Sequence, residues 1–151
     1  MSIKQNGNKR ILIMWAVLLT SPLTGGPALD DWSYSELPNE YMIMRVNGGD
    51  VQFGKVENQQ YVKRIDRYVI AFSYGERYIG IQQIPIESPY SEMINVEELD
   101  QSKLEYYLID SETDVIYGPW TLYEYNNELE EGEISDMCEW ISTDSRPNGA
   151  E

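Results

Sequence analysis

Residues 67–84 read RYVIAFSYGERYIGIQQI, and they decide the fold class. Two runs rich in β-branched and aromatic residues, Arg67 to Tyr74 and Arg77 to Ile84, flank Gly75-Glu76. Glycine at the first loop position suits a type II′ turn, whose twist matches that of the strands it joins. This loop predicts a register that pairs Phe72 with Ile79 and Ile70 with Ile81, four apolar side chains on one face. Ser73 with Tyr78 and Ala71 with Gly80 then lie on the other face. A sheet with one dry face and one mixed face is antiparallel and covers a core on one side. Pro85 and Pro89 end the ladder, because proline has no amide hydrogen to donate.

Upstream, Tyr41 to Val46 and Val51 to Val56 flank Asn47-Gly48-Gly49-Asp50, a second hairpin whose loop residues tolerate positive φ. Asn58-Gln59-Gln60 is the next turn signal. Leu29 to Asn39 carries Trp32, Tyr34 and Leu37 ahead of Pro38 and reads as a lead-in with a short edge strand. Downstream, residues 87–102 form a long acidic connection with one turn of helix around Val96 to Leu99. Leu104 to Ile109 and Val115 to Tyr117 make a third hairpin around Asp110-Ser111-Glu112-Thr113-Asp114, with Gly118-Pro119 expected to stop the strand. Thr121 and Glu124 have the spacing of a capping box, Leu122, Tyr125 and Leu129 share one helical face, and Gly132 stands at the C-cap. Ile134, Met137, Cys138 and Ile141 repeat the helical spacing and predict a second short helix, after which residues 143–151 form a polar tail expected to fray. The fold class that results is α+β: a twisted antiparallel sheet of about five to seven strands with one or two C-terminal helices packed on one face. A small half-open β-barrel is the alternative.

The N-terminus reads as an address. Lys4, Lys9 and Arg10 precede the apolar run Ile11 to Leu19, which ends in small and breaking residues. A charged head, a short apolar middle and a small-residue end make an export signal over residues 1–28, leaving a single domain at 29–142 and the tail at 143–151. Leu23-Thr24-Gly25 is what precedes the lipidated cysteine of a bacterial lipoprotein, but Gly26 occupies that position. Without a thiol there is no thioether-linked lipid, so the expected product is secreted, or held at the envelope through its N-terminus. No other membrane contact is expected.

Composition narrows the chemistry. With Lys4, Lys9 and Arg10 assigned to the signal, 8 of the 11 basic residues remain against all 26 acids, a net charge of −18. Such a surface repels nucleic acid and anionic lipid, and it leaves basic proteins, basic peptides or cations as partners, or solubility as its only role. There is no histidine, which removes the residue most used for acid–base work near neutral pH and for metal ligation. Cys138 is the only cysteine, so no intramolecular disulfide forms; its place on an apolar helical face between Asp136 and Glu139 predicts an inert core thiol. Asp110-x-Glu112-x-Asp114 alternates acids but lacks the glycine and distal glutamate of a calcium hand, so it reads as a turn. No serine-hydrolase elbow, phosphate loop or singled-out carboxylate pair is present. The expectation is no catalytic residue, metal or cofactor. Aromatic anchors for an interface are sought among Trp32, Tyr34, Tyr74, Tyr78, Trp120 and Tyr123.

The stretch Tyr107-Leu108-Ile109-Asp110, Thr113, Val115-Ile116-Tyr117-Gly118-Pro119 before a helix combines with Leu23-Thr24-Gly25 and Leu37-Pro38-Asn39. Together they resemble the DUF3997 family of uncharacterised bacterial exported proteins, mostly of lipoprotein type. The resemblance spans most of the body. It implies a location at the cell envelope and no known activity. Three expectations for function stand together: a non-enzymatic binding domain at the envelope, an acidic immunity or inhibitor protein that masks a basic toxin or enzyme, and a carrier of a small apolar ligand.

Overall fold

A computed structural model describes residues 31–47, 49–88 and 94–151. The expected signal, with Gly26, lies outside the described residues. Nine strands and one helix are present among them: β1 (Trp32–Tyr34), β2 (Tyr41–Val46), β3 (Asp50–Glu57), β4 (Gln60–Ile65), β5 (Val69–Tyr74), β6 (Tyr78–Gln83), β7 (Glu105–Asp110), β8 (Val115–Trp120), α1 (Leu122–Glu131) and β9 (Ile141–Ser142). They form two antiparallel sheets rather than one, ordered β1-β2-β3-β4 and β8-β7-β6-β5-β9. The sheets do not close into a barrel.

The main core lies between the sheets. Tyr41, Ile43, Val51 and Phe53 from the first sheet meet Val69, Phe72, Ile79, Ile81 and Ile109 from the second, all at most 1% exposed. The 41–56 hairpin forms as its alternation predicts, and β1 is an edge strand paired with β2. Two 3-10 turns, Val96–Glu98 and Gln101–Lys103, occupy the acidic connection.

The 67–84 hairpin forms with a different register. Phe72 pairs with Ile81 and Tyr74 with Ile79, and a bulge between Val69 and Ala71 leaves Ile70 without the expected Ile81 partner. The Gly75 amide bonds the Tyr78 carbonyl at 2.9 Å, so Glu76 and Arg77 make the loop. The glycine serves close approach instead of turn geometry: a Cβ there would lie 2.3 Å from an Asp136 carboxylate oxygen, which accepts the Glu76 amide at 2.8 Å. Because side chains alternate with period two, a two-residue shift in pairing keeps Phe72, Ile79 and Ile81 on the core face.

On the outer face of the second sheet, α1 covers Tyr106 and Leu108 with Tyr125. Both bonds of the predicted capping box form, Glu124 N–H to Thr121 Oγ1 at 3.3 Å and Thr121 N–H to Glu124 Oε2 at 2.8 Å. Leu122 is exposed, so the helix buries a narrower stripe than its spacing predicts. The helix ends in a Schellman motif: Ile134 N–H reaches Leu129 O at 2.9 Å and Glu133 N–H reaches Glu130 O at 3.1 Å. The left-handed position of that motif is Glu133, at φ 53°, while Gly132 is right-handed. An L-residue in that region costs about 1 kcal/mol that glycine avoids. Glu133→Gly is therefore expected to raise stability by about 1 kcal/mol, measured as a higher urea midpoint at unchanged slope.

Three expectations for the C-terminal third are corrected. The strand does not stop at Gly118-Pro119; β8 runs through to Trp120, with its pairing to β7 shifted between Tyr106 and Leu108. The second helix does not form. The segment from Asp136 instead follows the edge of β5, where Cys138 N–H bonds Tyr74 O at 2.9 Å, and Ile141–Ser142 pair with Phe72 and Ala71. An open strand edge offers this segment more main-chain bonds than a single helical turn. The tail does not fray either: Ser33 and Glu151 exchange two 2.8 Å main-chain bonds, and Thr143 is fully buried.

Candidate functional site

Two surface features stand out. The first is an open concavity of about 420 Å³ lined by Asn39, Glu40, Lys55, Ser111 and Glu112. Through Lys55 it borders an ionic strut between the sheets. The Asp114 carboxylate accepts from the Tyr41 hydroxyl, from Lys55 Nζ at 3.3 Å and from Arg64 at 3.0 Å. Asn39 Nδ2 donates to Ser111 Oγ at 2.8 Å. Asn39, Glu40 and Asp114 all hold positive φ. The bond from Tyr41, with help from Lys55 and Arg64, keeps the Asp114 carboxyl below its ordinary range, while burial first and Asp114 second push the Tyr41 hydroxyl up. A phenol that resists ionisation, bonded to a carboxylate already holding three donors, is a poor source of a base or nucleophile near neutral pH. The strut joins the sheets.

Asp110, in the same turn, holds Arg77 by two bonds at 2.9 and 2.5 Å and accepts the Glu112 amide at 3.1 Å. Of the acids that alternate in sequence, Asp110 and Glu112 share Arg77, while Asp114 is held by Lys55 and Arg64. Among the described residues no group of three or more metal-ligating side chains gathers. The Arg77 bonds, reinforced by the Thr113 and Glu112 amides against the opposing effect of burial, hold the Asp110 carboxyl well below the usual range. A lowered carboxyl pKa adds stability that is fully present above its unfolded value, about 3.9, and is lost as pH falls toward the folded one. Asp110→Asn is expected to be less stable than the parent at pH 7, with a gap that closes below about pH 4. Urea unfolding at stepped pH measures it, and a pH-independent gap would contradict the assignment.

The second feature is an aromatic edge. β8 borders its sheet, and Val115, Tyr117 and, from the start of α1, Leu122 and Tyr123 are exposed, Tyr123 at 75%. Tyr117 stacks on half-buried Trp120, ring centres 6.2 Å apart and planes 13° from parallel. The pairings Leu108 with Tyr117 and Asp110 with Val115 set these side chains on the same face as α1. Alternation of the ladder, anchored by Ser111 N–H to Arg77 O at 3.1 Å, points the main-chain N–H and C=O of Ile116 away from β7, to an edge that no other strand among the described residues covers.

The surroundings are acidic. Between Lys103 and Arg146 the chain has 12 acids and no base. Glu124, Glu128, Glu130 and Glu131 of α1 are exposed, and none of the salt bridges among the described residues involves them.

Of the aromatic residues expected to be anchors, the structure brings Trp120 and Tyr123 together at this edge. Tyr78 is half-buried under the Arg77 guanidinium, 5.1 Å from its ring centre. Trp32 and Tyr34 are 3% exposed and belong to the core, a correction that follows from β1 facing inward; the Tyr34 and Tyr74 hydroxyls share a 2.7 Å bond. Sequence reasoning missed Tyr117 as an anchor. Its alternation with Val115 is legible in the chain, but that β8 lies at the edge of its sheet is not. Cys138 is exposed, not in the core, and its sulfur accepts the Tyr74 amide at 3.3 Å.

The family model for DUF3997, a protein of unknown function, matches residues 38–144, from the lead into β2 to the end of the strand-edge segment. No curated protein and no solved structure matches the chain.

Proposed function

We propose that this chain, which belongs to the DUF3997 family, is an exported, non-enzymatic binding domain that holds a basic protein partner at the bacterial cell envelope. One observation carries the reading: exposed aromatic and aliphatic side chains gather at an open sheet edge inside the most acidic third of the chain. Interfaces place apolar anchors at the centre and charge around them, so that affinity comes from the anchors and encounter rate from the field. Export rests on the charged head and apolar run of residues 1–28. An inhibitor of a basic toxin or enzyme is the case in which the partner's own working site is what gets covered. The concavity beside Lys55 is open and polar-lined, so it lends no support to a carrier of apolar ligands.

The test compares the parent with the double variant Tyr117→Ser/Tyr123→Ser as bait for proteins of the host envelope and its surroundings. The expected result is a basic protein held by the parent at low salt, released at high salt, and bound at least about tenfold more weakly by the variant. Stability of the variant should stay within about 0.5 kcal/mol of the parent, because both side chains are exposed. Equal capture by both baits, or capture by neither, would overturn the reading.

A further inference from the structure

We infer that the partner docks as an extended cationic segment that adds an antiparallel or parallel strand to the open edge of β8. This inference rests on the binding reading above and specifies its mode.

Three observations point the same way. First, the edge is available: β8 has β7 on one side and no strand on its other side among the described residues, and Ile116 directs its N–H and C=O outward. Main-chain groups at such an edge pair readily with another chain. Second, the edge lacks the devices that usually block it along its first half. Val115-Ile116-Tyr117 contains no charge, proline or glycine, and Pro119 interrupts donation only near the far end. An added strand would therefore run over Val115 to Tyr117, with alternate side chains meeting the Tyr117–Trp120 stack.

Third, charge selects the occupant. The residues that frame the edge come from the 12-acid stretch between Lys103 and Arg146; Arg77, Lys55 and Arg64 pair with its Asp110, Glu112 and Asp114, which leaves the exposed acids of α1 to set the field. A second copy of this chain would bring the same acids to the same face, and two like fields repel. A segment alternating apolar and basic residues would set one row on the aromatic side chains and the other toward the carboxylates. Tyr117 also accommodates a guanidinium or ammonium over its ring.

The test uses the full chain and a synthetic peptide of about ten residues alternating lysine and valine. A control peptide of the same sequence carries N-methyl groups on alternate amides, which keeps charge and side chains but removes strand addition. The expected result is at least about tenfold tighter binding of the unmethylated peptide, with amide shifts in NMR centred on Ile116. Binding should weaken with salt and with Tyr117→Ser. Equal binding of the two peptides would overturn strand addition while leaving the partner-binding reading intact, as would peptide shifts centred on α1 alone. Failure of both peptides to bind, alongside aromatic-dependent capture of a basic protein, would also overturn it. A chain that sediments as a dimer through β8 would replace the cationic segment with a second copy.

Discussion

Asp50→Ala is expected to remove about 3–5 kcal/mol of folding free energy, the largest loss expected of a single side-chain truncation in this chain. Asp50 accepts from Arg67 Nη1 at 2.8 Å, and the two side chains are 6% and 2% exposed. Arg67 also donates to the Ser88 carbonyl, which ties the acidic connection to the start of β5. Removing the carboxylate takes the counter-charge at 2.8 Å away from a guanidinium that is itself buried. Arginine cannot shed its proton to escape, so the structure must open to water or bear the cost. Since small domains are stable by about 5–15 kcal/mol, the variant would sit close to the folding threshold. Urea unfolding at pH 7 gives the number. The double variant Asp50→Leu/Arg67→Met should recover part of it, because an apolar pair of similar size demands no buried charge. A loss below about 1 kcal/mol would mean that water reaches the pair despite its burial.

Deleting residues 143–151 is expected to cost about 3–5 kcal/mol, against the near-zero cost of trimming a frayed tail. Thr143 donates its amide to Ile70 O at 3.0 Å and its hydroxyl to Val69 O at 2.7 Å, capping the bulge in β5. Farther along, Arg146 closes a loop on Ala150 O, and Glu151 pairs with Ser33 in β1. The tail thereby stitches the edge of one sheet to the edge of the other. Each buried bond lost contributes about 1 kcal/mol, and the apolar surface uncovered around Trp32 and Tyr34 adds to it. Hydrogen exchange should show protection lost first at Ser33, whose amide bonds the Glu151 carbonyl. Thr143→Val, which removes only the hydroxyl bond, is expected to cost about 1–2 kcal/mol. Retention of full stability in the deletion variant would show that the tail rests on the sheets without supporting them.

These two sites illustrate where sequence reasoning reached and where it stopped. The strands 41–46, 69–74, 78–83 and 105–110 were legible because each is long enough to show alternation and is bounded by turn residues. The helix was legible because Thr121 and Glu124 satisfy each other locally, with no help from the rest of the chain. Its C-terminal stop was legible as well, but the residue that takes the left-handed turn was not: Glu133 does so where Gly132 was the expected choice. The misreadings share a cause. Residues 133–151 have helical spacing or polar composition, and only the presence of the β5 and β1 edges converts them to paired backbone.

The candidate site divides the same way. Aromatic residues and acidity could be listed from the chain alone, and two of those residues, Trp120 and Tyr123, stand at the β8 edge in the folded protein. Trp32 and Tyr34 could not be separated from them, since an aromatic side chain alternates identically whether its face meets solvent or a second sheet. By itself the sequence determined an antiparallel β-rich chain with one capped helix, an acidic body and family membership, because alternation, capping and charge are local properties. The division into two sheets, the register of the 67–84 hairpin, the anchored tail and the open edge at β8 were decided by tertiary structure. Each depends on which strand edges find a partner, and strand pairing is a contact between residues distant in the chain.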